Sequence, residues 1–378
     1  MGPELERRLS PHVSVIIVHV RGFEPLTNTL KSVLNSSYDN LEVILVDNGS
    51  TDGSIGLVHR SFGDRIRILR TAGNVGFVKG CNYALERVQA DYVVLLNDDT
   101  VVEPDWLNQL VEVAESDSSI AACQPKLKML KSPDYFEYNG ACGGMIDLCG
   151  IPFTRGRLFD RAEEDFGQYD KKVEVFWASG AAMFLRYRAA REVGYLDDLF
   201  YFHMEEIDLS WRLRMRGYKV VSVPSSVVYH LGGATPVPRT SFLKHRNNLL
   251  MLAKNYSWQS LAVFLPIRLF MDAGYLAYLS LKGRYKFGLD AFASYAWILR
   301  SMKKVIQARR ASQKIRVAPD KAIRSSMAKP SVAFQYYILG RHAFSQLSGL
   351  PLPRSSYTDE RTLTTRETGR FLQVGSVF

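Results

Sequence analysis

Three acidic clusters carry most of the side chains in this sequence that could do chemistry. They are Asp47-Asn48-Gly49-Ser50-Thr51-Asp52-Gly53-Ser54, then Asn97-Asp98-Asp99, then Glu205-Glu206-Ile207-Asp208. Carboxylates brought together repel one another. A hard cation such as Mg2+ or Mn2+, held by one or two of them plus diphosphate oxygens, cancels that repulsion and stabilises a phosphate leaving group. A carboxylate positioned against a hydroxyl can instead take its proton as a general base, and Glu205 and Glu206 are the candidates for that role.

Each cluster also has a plainer reading. Ser50 to Asp52 would cap a following helix, and Asp47 would complete an ordinary turn. An isolated Asp-Asp is most often a solvated turn. Negative charge at Glu205 and Glu206 suits the start of a helix, and Asp208 with Arg212 at i, i+4 predicts a structural ion pair. Between the first two clusters lies Gly73-Asn74-Val75-Gly76-Phe77, a glycine-rich helix entry whose backbone N–H groups could face an anion. Its spacing is neither that of a phosphate-binding kinase loop nor that of a dinucleotide fingerprint, so a kinase, ATPase or dehydrogenase reading has no motif behind it. His230 stands alone at the end of an apolar run, where a histidine is more often structural than a ligand.

Position decides between these readings. Val13–Val20, Leu41–Val46, Ile66–Leu69 and Tyr92–Leu96 are short runs rich in β-branched residues, with room for a helix between the main ones. Continuous apolarity in VSVIIV, VILV and YVVLL predicts central parallel strands buried on both faces. The first two acidic clusters then fall at the carboxyl ends of separate strands, where ligands of open α/β sheets bind. Lys126–Asp170, interrupted by glycines, predicts loops and hairpins. Regular elements resume at Val173–Tyr187, in a helix over Met204–Arg216 stopped by Gly217, and in strands Lys219–Val223 and Val227–His230.

Charge divides the 378-residue chain unevenly. Residues 239–378 hold 23 Lys and Arg against 6 Asp and Glu, whereas residues 1–238 hold 25 against 32. A basic region suits nucleic acid or an anionic membrane face, and here its interleaved residues are apolar and aromatic, which favours the membrane. Leu261–Leu281 is interrupted by Pro266, Arg268 and Asp272, costly in hydrocarbon, so it is expected to lie on a bilayer rather than cross one. The expected division is a catalytic domain over 1–238, a basic, helical, membrane-associating region over 239–310, and a linker with a poorly ordered tail over 311–378. Four cysteines without CxxC spacing and the absence of a charged-then-apolar leader point to a reducing, cytoplasmic setting.

Taken in order, VSVIIVHVRG, LEVILVDNGSTDGS, GNVGFVKGCNYAL, YVVLLNDDT, WASGAAMFLRYRAAREVGYLDDLF, FHMEEIDLSWRLRMRGYKV and VVYHLGGAT resemble family 2 glycosyltransferases of the GT-A fold, especially bacterial rhamnosyltransferase-like members that build surface polysaccharides. The resemblance covers roughly residues 13–310. It implies a mixed, mainly parallel α/β sheet with flanking helices and a C-terminal helical region. It also implies inverting transfer of a sugar, rhamnose or another hexose, from a nucleotide-diphosphate donor to a glycan or lipid-linked acceptor at the inner face of the cytoplasmic membrane.

The same resemblance distributes roles. Asp47 contacts the nucleoside, Asn48 and Asn74 belong with it to the donor site, and Asp98 lies near the ribose or phosphate. Asp99 holds Mg2+ or Mn2+, and His230 joins the metal or the diphosphate. Glu206 stands at the place of the catalytic base, usually the Asp of a Glu-Asp pair, with Glu205 as its alternate; Trp177, Ser179 and Gly180 fall in the acceptor pocket. Val18-His19-Val20-Arg21-Gly22 departs from the family's Val-Asn-Tyr-Asn-Gly, which leaves nucleotide contacts at the first turn unassigned. A nucleotidyltransferase would share the fold and metal but usually carries a Gly-rich, basic signature after the first strand, and none is here. A non-catalytic nucleic-acid-binding protein would rest on the basic region alone and would show strongly salt-dependent binding. No nucleic-acid partner is expected, and the helical surfaces leave an oligomer open.

Overall fold

The computed structural model describes residues 10–137, 140–232, 239–281, 283, 285–351 and 371–373. Its strands are β1 (Val13–His19), β2 (Leu41–Asp47), β3 (Arg67–Arg70), β4 (Tyr92–Asn97), β5 (Thr100–Val102), β6 (Ile120–Met129) and β7 (Ser132–Phe136), followed by β8 (Gly144–Ile146), β9 (Pro152–Thr154), β10 (Arg157–Leu158) and β11 (Arg161–Glu163). Four more complete the set: β12 (Val173–Glu174), β13 (Ala182–Arg186), β14 (Lys219–His230) and β15 (Phe371–Gln373).

The main sheet runs β12-β14-β6-β13-β4-β1-β2-β3, with β5 on β14 and β7 on β6. It is parallel from β4 through β3 and again between β6 and β14; β13 inserts antiparallel between β4 and β6. Side chains alternate across a strand, so Val13, Val15 and Ile17 of β1 enter one hydrophobic layer while Ile16 and Val18 enter the other. Burial on both faces explains the continuous apolar runs. The two strands expected over 219–230 are one strand, with a register shift between Val223 and Val227. Pro224 lies in that gap, where it forfeits no ladder hydrogen bond.

Helices α1 (Phe23–Leu34), α2 (Ser54–Phe62), α3 (Phe77–Leu85), α4 (Trp106–Ser116), α5 (Tyr187–Glu192) and α6 (Glu205–Arg216) accompany the sheet. Gly217, at φ 101°, ends α6 as the sequence predicts. The glycine-rich stretch after β6 forms β7 and a second sheet of short strands in the order β15-β11-β10-β9-β8.

The C-terminal helices are α7 (Thr240–Asn255), α8 (Trp258–Leu281), α9 (Tyr285–Arg300) and α10 (Met302–Lys314), then the short α11 (Asp320–Arg324) and α12 (Val332–Tyr337). Leu250, Met251 and Leu252 of α7 and Val305 of α10 join the same hydrophobic cluster as Ile16, Leu95 and Trp211. Pro238, the expected boundary, lies outside the described residues. The linker and tail reading of 311–378 needs correction up to residue 351. Met327, Ala328, Val332 and Tyr336 are buried, and fully buried Asp147 accepts hydrogen bonds from Ser331 Oγ at 2.8 Å and Val332 N at 3.0 Å. Such a segment lacks periodicity because it is held by single distant partners rather than by one continuous face. Residues 352–370 and 374–378 of the expected tail lie outside the described residues.

Candidate active site

Parallel register sets the floor of the site. His19 pairs with Asp47, and Val18 with Asn97, so the carboxyl ends of β1, β2 and β4 stand side by side. Asp47 Oδ1 accepts from Ser50 N at 2.9 Å, closing the first acidic turn. Asn48, almost fully buried, takes Val75 N at 3.0 Å on Oδ1 and points Nδ2 at Asn74 Oδ1 and Gly76 O, both at 3.3 Å. It therefore ties the first acidic turn to the glycine-rich loop. Gly49 has φ 80°, and a Cβ there would meet Asn74 N at 2.6 Å, so only glycine lets the two loops approach this closely. Asn48 and Asn74 thus shape the crevice and leave Asp47 at its rim.

The second acidic turn carries a partner that sequence reasoning missed. His19 Nδ1 lies 2.6 Å from Asp98 Oδ2, and its Nε2 lies 2.9 Å from Ser54 Oγ. Burial pushes the Asp98 carboxyl above its usual range, and His19 opposes part of that push. The departure at Val18–Gly22 is thus a linchpin between the ends of β1, β4 and α2. A lone histidine in an apolar run carries no local signal of such a role.

Asp99 and His230 lie together, with His230 Nε2 3.0 Å from Asp99 Oδ1. Glu137, which the sequence did not mark, lies 3.4 Å from His230 Nδ1. Burial opposes a charge on this imidazole, yet Glu137 and Asp99 outweigh it and raise its pKa to about 10. Among the described residues no group of three His, Cys, Asp or Glu side chains forms a metal cage. One or two carboxylates with an imidazole still match the sparse protein ligation that Mg2+ or Mn2+ takes when a diphosphate supplies further oxygens.

The third cluster begins α6. Tyr201, His203 and Met204 all have positive φ, at 65°, 69° and 70°, a conformation that costs a residue with a side chain on the order of 1 kcal/mol or more unless its surroundings hold it. Asn247 of α7 holds it, donating Nδ2 to the carbonyls of Phe200, Phe202 and His203 at 3.0, 2.8 and 2.7 Å, while Arg246 reaches those of Leu199 and Phe200. Glu205 is buried, and burial together with Glu206 raises its pKa well above the carboxylate range. Glu206 keeps part of its side chain at the surface, but its Oε2 is shielded and accepts no hydrogen bond; burial lifts its pKa to about 7, with Lys244 pulling the other way.

Gly180 is where the pieces meet. A Cβ on it would lie 3.7 Å from Phe77 and 3.8 Å from the Glu206 Cβ, and the adjoining Ala181 carbonyl accepts from Asn97 N at 3.0 Å. Tyr201 in turn packs flat enough on Gly76 that a Cβ there would come within 2.5 Å of its ring. The helix that follows the glycine-rich loop and Glu206 therefore meet beside Gly180, next to the strand end that leads into the Asp98-Asp99 turn. Trp177 is buried: only 5% exposed, its Nε1 donates to Met145 O at 2.8 Å and its ring covers Gly144. Ser179, also buried, spends its Oγ on Ala181 N. Their side chains are thus engaged by Met145, Gly144 and Ala181.

Asp208 pairs with Arg212 as predicted, at 2.8 Å, but it also receives Lys254 Nζ at 3.0 Å and Asn255 Nδ2 at 2.9 Å. These cations hold its carboxyl below the usual range against the effect of burial. Asp208→Ala would leave Lys254 and Arg212 buried without their shared anion. A loss of about 3–5 kcal/mol in urea unfolding is expected, the usual cost of breaking a buried pair. A loss under 1 kcal/mol would mean that Asp197, the other partner of Lys254, compensates.

Residues 14–186 match the family described as Glycosyl transferase family 2. The N-acetylglucosaminyl-diphospho-decaprenol L-rhamnosyltransferase of Mycobacterium tuberculosis is 27% identical over 238 residues, spanning 57% of this chain and 76% of that protein. The poly-beta-1,6-N-acetyl-D-glucosamine synthase of Staphylococcus aureus is 25% identical over 210 residues, 55% of this chain and 47% of that protein. Among solved structures, GalNAc-T7 with UDP, GalNAc and Mn2+ aligns with a TM-score of 0.53 at 16% identity, over 68% of this chain and 50% of that one. That likeness shows a common GT-A architecture.

Proposed function

We propose that this chain, whose residues 14–186 match Glycosyl transferase family 2, is a glycosyltransferase of bacterial surface polysaccharide synthesis that moves a sugar from a nucleotide-diphosphate donor to a lipid-linked glycan with inversion. The observation that carries the reading is Glu206. A shielded carboxylate oxygen without a hydrogen-bond partner, on a group whose pKa is raised to about 7, stands beside Gly180, whose neighbour Ala181 holds the strand end before the Asp98-Asp99 turn. A base is most useful when its pKa lies near working pH.

Asp47, at the rim of β2, receives the nucleoside, and Asp98, oriented by His19, sits at the ribose or first phosphate. Asp99 and His230 are the residues that would hold Mn2+ or Mg2+, which when bound neutralises charge on the departing diphosphate. Glu206 takes the proton of the acceptor hydroxyl as its oxygen bonds to the anomeric carbon. The bond from that carbon to the diphosphate oxygen breaks on the opposite face, and nucleoside diphosphate leaves. One displacement gives one inversion.

A lipid-linked acceptor is supported by the diphospho-decaprenol substrate in the name of the mycobacterial relative and by the outer surface of the C-terminal helices. Trp258–Ala277 is long and apolar enough to cross a membrane and is only 17% buried. Arg268 and Asp272, expected to bar it from hydrocarbon, turn inward and pair at 2.8 Å, while Phe270 stands 82% exposed and Phe292 of α9 72%. An apolar face beside the exposed cations Arg300, Lys303 and Lys304 suits an anionic membrane surface, with the chain peripheral on its cytoplasmic side.

Calorimetry against UDP-, GDP- and dTDP-sugars, with Mn2+ or Mg2+ and then with chelator, tests the donor. Binding of one donor that chelator weakens is expected. Absence of binding to any of them, with metal present and membrane vesicles added, would overturn the reading.

A further inference from the structure

A cleft of about 720 Å³ lies between α8, α12 and the start of α7, within the roughly 300–1,000 Å³ range of ligand pockets. Its outer part is apolar and open: Ile267, Met271 and Tyr275 come from α8, Phe334, Tyr337 and Ile338 from α12 and the residue after it. Ile338 is 69% exposed and Tyr337 52%, so the wall of the cleft continues into the exposed apolar face of α8. Its inner part is polar. Lys244, His245 and Asn248 line it, with Met204, the residue that caps α6 immediately before Glu205.

We propose that this cleft holds the hydrocarbon chain of a lipid-linked acceptor, with the acceptor's phosphate at Lys244 and its sugar hydroxyl at Glu206. The order of groups carries the argument. Glu206 lies outside the lining but within electrostatic reach of Lys244; from Lys244 the lining passes the Arg268–Asp272 pair to an apolar trough that opens on an apolar surface. A sugar joined through phosphate to a long hydrocarbon presents a hydroxyl, an anion and a chain in the same order. Lys244 lies close enough to Glu206 for each to shift the other's ionisation, and close enough to Arg157 for the two cations to repel; burial and Arg157 bring its pKa down to about 8. His203, kept neutral by burial with its Nε2 unpartnered, faces Lys244 as well. A phosphate beside Lys244 is attracted by that ammonium and by Arg157 together, an interaction that a neutral alkane lacks.

The inference rests on the transferase reading but is tested apart from it. Calorimetry of the full chain in chelator compares farnesyl diphosphate with inorganic pyrophosphate. Farnesyl diphosphate is expected to bind at least tenfold more tightly. Gly274 lines the cleft, and a Cβ on it would meet nothing within 4 Å, so Gly274→Phe fills the trough from a helical position that tolerates a side chain. It is expected to erase the preference, as is Ile267→Asp at the mouth, where the side chain is 45% exposed. Equal affinity for the two probes, or a preference that survives both variants, overturns the proposal. So does light scattering in which the wild type is a dimer that Gly274→Phe dissociates, with no preference for farnesyl diphosphate in either. Donor binding is read on the wild-type chain alone: retained without farnesyl preference, it removes the cleft assignment and leaves the transferase standing; lost with the preference intact, it does the reverse.

Discussion

Glu206→Gln is expected to lower sugar transfer by about 10²–10⁴-fold, the usual contribution of a positioned general base, while donor affinity stays within about twofold of wild type. Gln keeps the shape of the side chain and the contact with Gly180 but cannot accept a proton. Glu205→Gln is expected to do far less. Burial and the neighbouring Glu206 raise the Glu205 pKa well above its usual value and so favour its protonated form, which an amide resembles. The pH profile separates the two further. A base works when deprotonated, and with the Glu206 pKa raised to about 7 the rate should climb as pH rises through that value and level off above it. A profile already flat from pH 5 to 8, or a larger fall from Glu205→Gln than from Glu206→Gln, would move the base elsewhere.

Asp99→Ala is expected to abolish the effect of Mn2+ on donor binding and to reduce kcat/KM by at least about 100-fold, since metal stabilisation of a leaving diphosphate is worth several kcal/mol and each 1.4 kcal/mol is tenfold. In chelator, the mutant and the wild type should bind donor alike. That comparison guards against misfolding, because Asp99 also pairs with buried His230 and Glu137 remains to hold the imidazole when Asp99 is gone. If Mn2+ still tightened donor binding in Asp99→Ala, the metal would lie with other ligands.

Sequence alone determined those parts of the protein that short-range rules govern. Unbroken β-branched runs marked β1, β2 and β4 because strands buried on both faces have no polar side to show. The acidic turns followed at their carboxyl ends, the helix before Gly217 ended where glycine allows a left-handed residue, and Asp208 found Arg212 one turn away. Tertiary structure decided the rest. His19 reaches Asp98 across 79 residues, Lys254 reaches Asp208 across 46, and Asn247 holds the strained turn before α6 from 44 residues beyond His203. Glu137 found His230, and residues 315–351 found the body of the enzyme, by the same kind of distant contact. The engagement of Trp177 with Met145 and of Ser179 with Ala181 has no signal of its own, because a buried tryptophan beside small residues looks the same in sequence whichever side of a backbone it supports. Periodicity records which face of an element is covered, but a single polar side chain has no period, and its partner is fixed only by the path of the whole chain.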